Sequence, residues 1–220
     1  MSTEICALSI FARPVVAGVT KTRLSPVLGP EGSATLYRAF VADTLATVGG
    51  LPELAPTLWV AGDPEHATLG AYGLPREAQP ELDLGARIRR ALEHGLSRHR
   101  CALACGTDAP TLPASHLRRA ARALEHAEVV LGPSADGGYY LIGLRRPAGA
   151  LPDLFSRVRW STRHTLADTL ALTACAGLSV AMLPPWYDVD EPADLELLRM
   201  HLALDPGVAP ATRAALTTLV

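Results

Sequence analysis

ICALSIFARPVVAGVTKTRLSP, residues 5–26, joins a short apolar run to a loop bounded by Pro14 and Pro26. An unbroken apolar run of about 4–8 residues that ends at a proline suits a strand buried on both faces, as in a parallel sheet covered by helices. The loop that follows carries Arg13, Gly18, Lys21 and Arg23. Of the chain's 20 basic residues, Lys21 alone is a lysine. Gly18 permits unusual dihedrals and the prolines stiffen the ends. A lysine is a compact point charge suited to meeting a phosphate oxygen inside such a loop. The plain alternative is a solvated loop lysine.

Outward from this stretch the pattern repeats. PTLWVA (56–61), CALACG (101–106), EVVLGP (128–133), YYLIGLR (139–145) and LSVAMLP (178–184) read as further strands. Between them, Leu36, Phe40, Val41, Leu45 and Val48 recur at helical spacing within 31–48. Further helices are predicted over 86–98, from Pro113 to Ala127, over 161–176 with Ser161 or Thr162 as N-cap, and from Pro192 through Met200. Residues 206–220 read as a weak helix or a frayed end. Alternating strands and helices without a repeat or long linker predict one α/β domain over 1–220, mainly a parallel sheet with helices on both faces. Its core is expected over 5–203 and a C-terminal tail over 204–220.

With 49% hydrophobic and 19% charged residues the chain is globular in composition. A net charge of −2 gives no field to draw in nucleic acid or an anionic membrane, so phosphate recognition must be local. The N-terminus lacks a basic stretch and its apolar run is too short to span a bilayer, so a cytoplasmic protein without membrane insertion is expected. Cys6, Cys101, Cys105 and Cys175 fall in apolar stretches at spacings that match neither a zinc knuckle nor a redox pair; buried free thiols are expected.

In an open α/β sheet, ligands bind beyond the carboxyl ends of the strands. There the sequence delivers the cationic loop (13–23), Gly106-Thr107-Asp108 and Asp188-Val189-Asp190. The cationic loop is neither a Walker loop nor Gly-x-Gly-x-x-Gly. Asp108 and Asp190 each have a plain reading as turn or helix-capping residues. Together, carboxylates from two strand ends can hold a hard divalent ion that also takes substrate phosphates. Ser134-Ala135-Asp136-Gly137-Gly138 is the densest turn signal; Asp136 is either a hydroxyl ligand or base, or the acceptor of an Asx-turn. Trp160 and Ser161 either flank a pocket or anchor a helix.

FARPVVAGVTKTRLSPVLG, GTDAPTLP, GPSADGGYYLIGL, RWST and WYDVDEPADLELL occur in this order. They resemble a bacterial family of small GT-A-like transferases, which includes glycosyltransferases of arsenosugar biosynthesis and radical-SAM or selenodomain-associated transferases. The likeness runs from about residue 5 to 200. The wider superfamily also holds nucleotidyltransferases such as molybdopterin and phospholactate guanylyltransferases. The resemblance implies a nucleotide-diphosphosugar transferase fold with Mg²⁺ or Mn²⁺. It assigns Lys21 and Arg23 to phosphates, Asp108 to the metal, and Asp190 or Asp188 to a second acidic contact. It sets the 79–85 loop, with Gln79 and Gly85, beside the nucleotide. Arg13, Gly18 and Thr107 join the phosphate side; Asp136 joins Asp108 and Asp190 as a catalytic candidate; Gly137, Gly138, Trp160 and Ser161 join the acceptor side. Leu82 departs from the family, which often has glycine there.

The reading expected first is therefore metal-dependent glycosyl transfer from a nucleotide sugar to a small-molecule acceptor. The alternatives are nucleotidyl transfer from an NTP to a phosphate or phosphosugar, and a nucleotide-binding domain without catalysis.

Overall fold

The computed structural model describes residues 5–219. The chain runs β1 (Cys6–Ala12), α1 (Ser25–Gly49), β2 (Leu54–Val60), β3 (Arg76–Ala78), α2 (Leu84–Arg98), β4 (Cys101–Gly106), α3 (Ala114–Ala123), β5 (Val129–Pro133), β6 (Tyr139–Arg145), α4 (Thr165–Cys175), β7 (Val180–Met182), α5 (Pro192–Leu204) and α6 (Pro210–Thr218). One sheet takes the order β3-β2-β1-β4-β6-β5-β7. All neighbours pair in parallel except β6, which is antiparallel to both β4 and β5.

The apolar run of β1 is central because it is buried on both faces. Leu8 and Ile10 pack with Leu36, Phe40 and Leu45 of α1, while Ala7 faces Ile88 and Leu92 of α2. Phe40 is fully buried, which stabilises the fold by about 1.5–3 kcal/mol relative to an exposed ring. From β1 the chain builds β2 and β3 to one side and β4 to the other. The order reverses between β1 and β4, so a crevice opens beyond their carboxyl ends.

Several boundaries differ from the sequence reading. β3 is a three-residue edge strand, Arg-Glu-Ala, held by backbone pairing with β2 and carrying no apolar signal. α3 ends at Ala123 rather than near 127. α4 begins at Thr165, not 161, because Ser161 has a left-handed backbone (φ 58°) and Thr162 and Thr165 both turn their hydroxyls onto the Arg159 carbonyl. The tail forms α6, which packs on α1 through Leu216, and the buried Asp43 carboxylate of α1 accepts the Ala211 and Thr212 amides at its start. Cys6, Cys101 and Cys105 are buried, but Cys175, at the end of α4, is exposed. No helix of the described residues is long and apolar enough to cross a membrane.

Candidate active site

The carboxyl edge of the sheet opens into a cleft of about 610 Å³. Lys21 closes the first wall. Its backbone is left-handed (φ 52°), an arrangement a lysine holds only where its surroundings fix it. Thr20 fixes it from within the loop: its buried hydroxyl donates to the Pro14 carbonyl and accepts the Val16 amide. Gly18, at φ 75° in open space, supplies the sharp turn.

The Lys21 ammonium is aimed at the two acidic strand ends. Nζ lies 2.6 Å from Asp108 Oδ1 and 2.5 Å from Asp190 Oδ1, and donates to the Val189 carbonyl at 2.8 Å. The lysine side chain is 6% exposed while the carboxylates are 43% and 49% exposed. Burial alone would push this ammonium down; Asp108 and Asp190 outweigh it and hold its pKa at about 12. Asp188 stands beside them. Burial, then the negative charges of Asp108, Asp190 and Asp136, push its carboxyl up to about 7 against the opposing pull of Lys21.

Neither acid uses its side chain for the plain role open to it. α3 starts at Ala114, capped by Pro113, so Asp108 caps nothing and turns to Lys21. The start of α5 is capped by Asp194, whose carboxylate accepts the Asp190 and Glu191 amides. Asp190 is thereby left for the cleft. Between Asp188 and Asp190, which both line the cleft, Val189 is buried.

The remaining expected residues fall into two groups. Arg13, Lys21, Arg23, Gln79, Asp108, Asp136, Gly138, Trp160, Ser161, Asp188 and Asp190 line the cleft. Gly85, Gly137 and Thr107 shape it from behind. A side chain on Gly85 would meet the Trp160 indole at 2.6 Å, and one on Gly137 would meet the Arg163 carbonyl at 2.4 Å. Thr107 is buried and joins Tyr37 Oη at 2.9 Å. Gln79 donates its amide to the Ala12 and Trp59 carbonyls at 3.2 and 2.8 Å, pinning the nucleotide-side loop to β1 and β2. Asp136 forms the Asx-turn: its Oδ1 accepts the Gly138 amide and the Ser134 hydroxyl. Trp160 is a packing anchor as well as a wall, stacked on Phe155. Arg23 is exposed and reaches Glu191 at 3.4 Å. Leu82 is 53% exposed and lies outside the cleft lining.

Tyr37 escaped the sequence reading. Buried on α1, its phenol accepts the Arg13 amide at 2.9 Å and meets Thr107, tying the first two loops together. Its place in the helical apolar stripe gave no hint of this polar task. A larger hollow, about 1150 Å³, lies at the opposite edge of the sheet beside Arg100, Arg118, Arg122, Arg145 and Arg146. None of the expected site residues reaches it, and Arg118 is engaged by Glu53 at 2.8 Å.

Among the described residues, no three His, Cys, Asp or Glu side chains form a ready-made metal cage. Asp108 and Asp190 each give one oxygen to Lys21; their remaining oxygens, with Asp188 nearby, suit a Mg²⁺-like ion that takes one or two carboxylates and completes its shell with phosphates and water. The residues present fit such an ion only in company with a phosphate ligand.

A family model described as "Uncharacterized protein conserved in bacteria (DUF2064)" matches residues 44–162. The chain belongs to this family. It is 33% identical over 212 residues to a phosphoenolpyruvate guanylyltransferase of Geodermatophilus obscurus, covering 90% of this chain and 88% of that one. A 2-phospho-L-lactate guanylyltransferase of Halorubrum lacusprofundi is 28% identical over 200 residues, covering 88% and 85%. A crystal structure from Desulfovibrio desulfuricans G20, provisionally assigned as a nucleotide-diphospho-sugar transferase, superposes with a TM-score of 0.89 at 32% identity, covering 97% of this chain and 94% of that one. This chain thus has the nucleotide-diphospho-sugar transferase fold that the resemblance implies. The expectation of a transferase that handles a nucleotide holds in that coarse form. The two guanylyltransferase names favour nucleotidyl transfer over the glycosyl transfer expected first.

Proposed function

We propose that this protein is a nucleotidyltransferase that moves GMP from GTP to the phosphate of a small acceptor. The observation that carries this reading is the likeness, over nine-tenths of the chain, to a phosphoenolpyruvate guanylyltransferase. The acceptor class follows from the two relatives' names, each of which specifies a phosphorylated three-carbon acid.

A phosphate oxygen of the acceptor attacks the α-phosphorus of GTP, the bond from that phosphorus to the bridging oxygen breaks, and pyrophosphate leaves. In-line displacement needs positioning and charge stabilisation more than covalent help from the protein. Arg13 and Arg23 would receive the triphosphate, and Gln79 and Arg87 line the same cleft. Gly138, Trp160 and Ser161, which also line the cleft, would face the acceptor. Asp108 and Asp190, with Asp188 beside them, would hold the divalent ion. When bound, that ion would offset charge on the departing pyrophosphate. Lys21 keeps the acidic pair together and supplies a fixed positive charge at the same place.

Glycosyl transfer is the second reading, favoured by the description of the Desulfovibrio protein. One experiment separates the two. The protein is incubated with Mg²⁺ and GTP plus phosphoenolpyruvate or 2-phospholactate, and in parallel with a panel of nucleotide sugars. Pyrophosphate released only when acceptor and GTP are both present supports nucleotidyl transfer. Nucleoside diphosphate released from a nucleotide sugar, with no pyrophosphate from GTP, overturns it.

A further inference from the structure

Trp186 touches all three loops that carry acids into the cleft. It sits two residues before Asp188 and four before Asp190. Its backbone amide donates to the Pro133 carbonyl at 3.0 Å and its carbonyl accepts the Ala135 amide at 3.2 Å, which fastens it to the segment ending in Asp136. Its indole Nε1 donates to Thr111 Oγ1 at 3.3 Å, three residues beyond Asp108. Thr111 is 1% exposed and donates onward to Tyr187 Oη at 3.1 Å, which lies 2.8 Å from His201 Nδ1 on α5. The Val189 amide closes the same span by donating to the Asp108 carbonyl at 2.8 Å. Rings hold the indole in place: Tyr187 stacks on it at 5.9 Å, and His116 and His201 meet it edge-on at 5.1 and 5.8 Å.

This arrangement answers a mechanical problem. Asp108, Asp136, Asp188 and Asp190 repel one another, and they sit on loops from three separate strand ends. Lys21 offsets part of that repulsion from the cleft side, through ion pairs with Asp108 and Asp190 and a further pull on Asp188. A tie from behind must fix the loops without adding charge. A part-buried indole N–H bonded to the buried Thr111 hydroxyl does this, because breaking the bond leaves the N–H without its partner and frees the loop that carries Asp108.

We propose that Trp186 and Thr111 are positioning residues for the acidic cluster. Their Nε1–Oγ1 bond keeps Asp108 in register with Asp188 and Asp190, while the Trp186 backbone keeps that pair of loops in register with Asp136. The register stands by itself; its kinetic consequence rests on the nucleotidyl-transfer reading.

The test compares Thr111→Val, Thr111→Ser and Trp186→Phe by hydrogen exchange and by kinetics. Valine removes both hydroxyl bonds, serine keeps them, and phenylalanine keeps a ring but loses the N–H. Exchange in 108–111 and 186–190 is expected to quicken at least about tenfold in the valine and phenylalanine variants, with serine near wild type. The slowest-exchanging core amides of β1 and β4 should not follow. Unchanged loop exchange in both damaging variants overturns the proposal. So does an equal quickening everywhere, which would mark a merely structural role. If Thr111→Val fails to fold, Trp186→Phe alone decides between these outcomes. In the kinetic arm, kcat with GTP and acceptor should fall roughly 10–100-fold while KM for GTP moves less than about twofold, and serine should restore it. A wild type that never turns over GTP removes the nucleotidyl-transfer reading and leaves the exchange result to decide the positioning role.

Discussion

Lys21 Nζ lies 2.5 Å from Asp190 Oδ1, although 169 positions separate the two residues in the chain. One buried cation therefore ties the first loop of the sheet edge to the last. The left-handed backbone of Lys21 costs on the order of 1–3 kcal/mol, offset here by charge-assisted bonds to two carboxylates and a carbonyl. The chain's only lysine thus sits where a compact ammonium fits and a planar guanidinium does not.

Lys21→Met should leave Asp108 and Asp190 facing each other without a counter-charge. Affinity for GTP with Mg²⁺ is expected to fall at least about tenfold, or about 1.4 kcal/mol, with guanosine affinity unchanged. Lys21→Arg should not restore it, since a fork cannot occupy one point between three oxygens. Titration calorimetry with both ligands checks this. Equal weakening for GTP and guanosine would mean that the loop only shapes the fold.

Tyr37→Phe removes one oxygen that serves two loops, the Arg13 amide and the Thr107 hydroxyl. Leaving the part-buried Arg13 amide without its acceptor costs up to about 1–3 kcal/mol, so the urea midpoint should drop correspondingly at unchanged slope. Activity should drop as well, because the cationic loop and the Asp108 loop lose their common anchor. Wild-type stability in the variant would show that water replaces the phenol.

Most of the sheet was legible because its central strands are buried on both faces, and continuous apolar runs such as CALACG leave few other readings. β3 was not, because Arg76, Glu77 and Ala78 owe their strand to backbone pairing at an edge. The tail was hard to read for a related reason. α6 depends on Asp43, 168 positions away from Ala211, and local propensity carries no trace of that bond. In the site, residue type at the strand ends pointed to Lys21, Asp108 and Asp190 before any contact was known. Their mutual pairing was hidden, as were Tyr37, Thr111 and Trp186, whose roles arise only when distant loops meet.

Gly85→Ala tests whether this glycine serves the nucleotide or the wall behind it. A Cβ there would meet Trp160 Nε1 at 2.6 Å and displace the indole from Phe155 and Tyr139. Overpacking of this kind costs about 1–3 kcal/mol. The variant should melt earlier and show altered tryptophan fluorescence even without ligand. A stable variant with unchanged fluorescence and weakened GTP binding would instead place the backbone of Gly85 against the nucleotide.

His116 gives the fold a pH dependence of definite sign. Its side chain is buried, and among the described residues neither ring nitrogen has a hydrogen-bond partner. Tyr140 and Trp186 meet it edge-on. Burial, together with the charge of Arg119, pushes its pKa below the usual 6.5. Between that lowered value and 6.5 the unfolded chain binds more protons than the folded one, so stability rises with pH across this window. Approached from above, the loss begins as pH falls through 6.5 and levels off below the folded pKa. His116→Phe keeps a ring in the aromatic cluster and removes the titration. Scanning calorimetry at a series of pH values should therefore show the wild-type melting temperature falling faster than that of the variant between about pH 7 and 5.5, with a constant offset above about pH 7. Parallel curves through the whole range would mean that the buried imidazole is already paired or already charged in the folded protein.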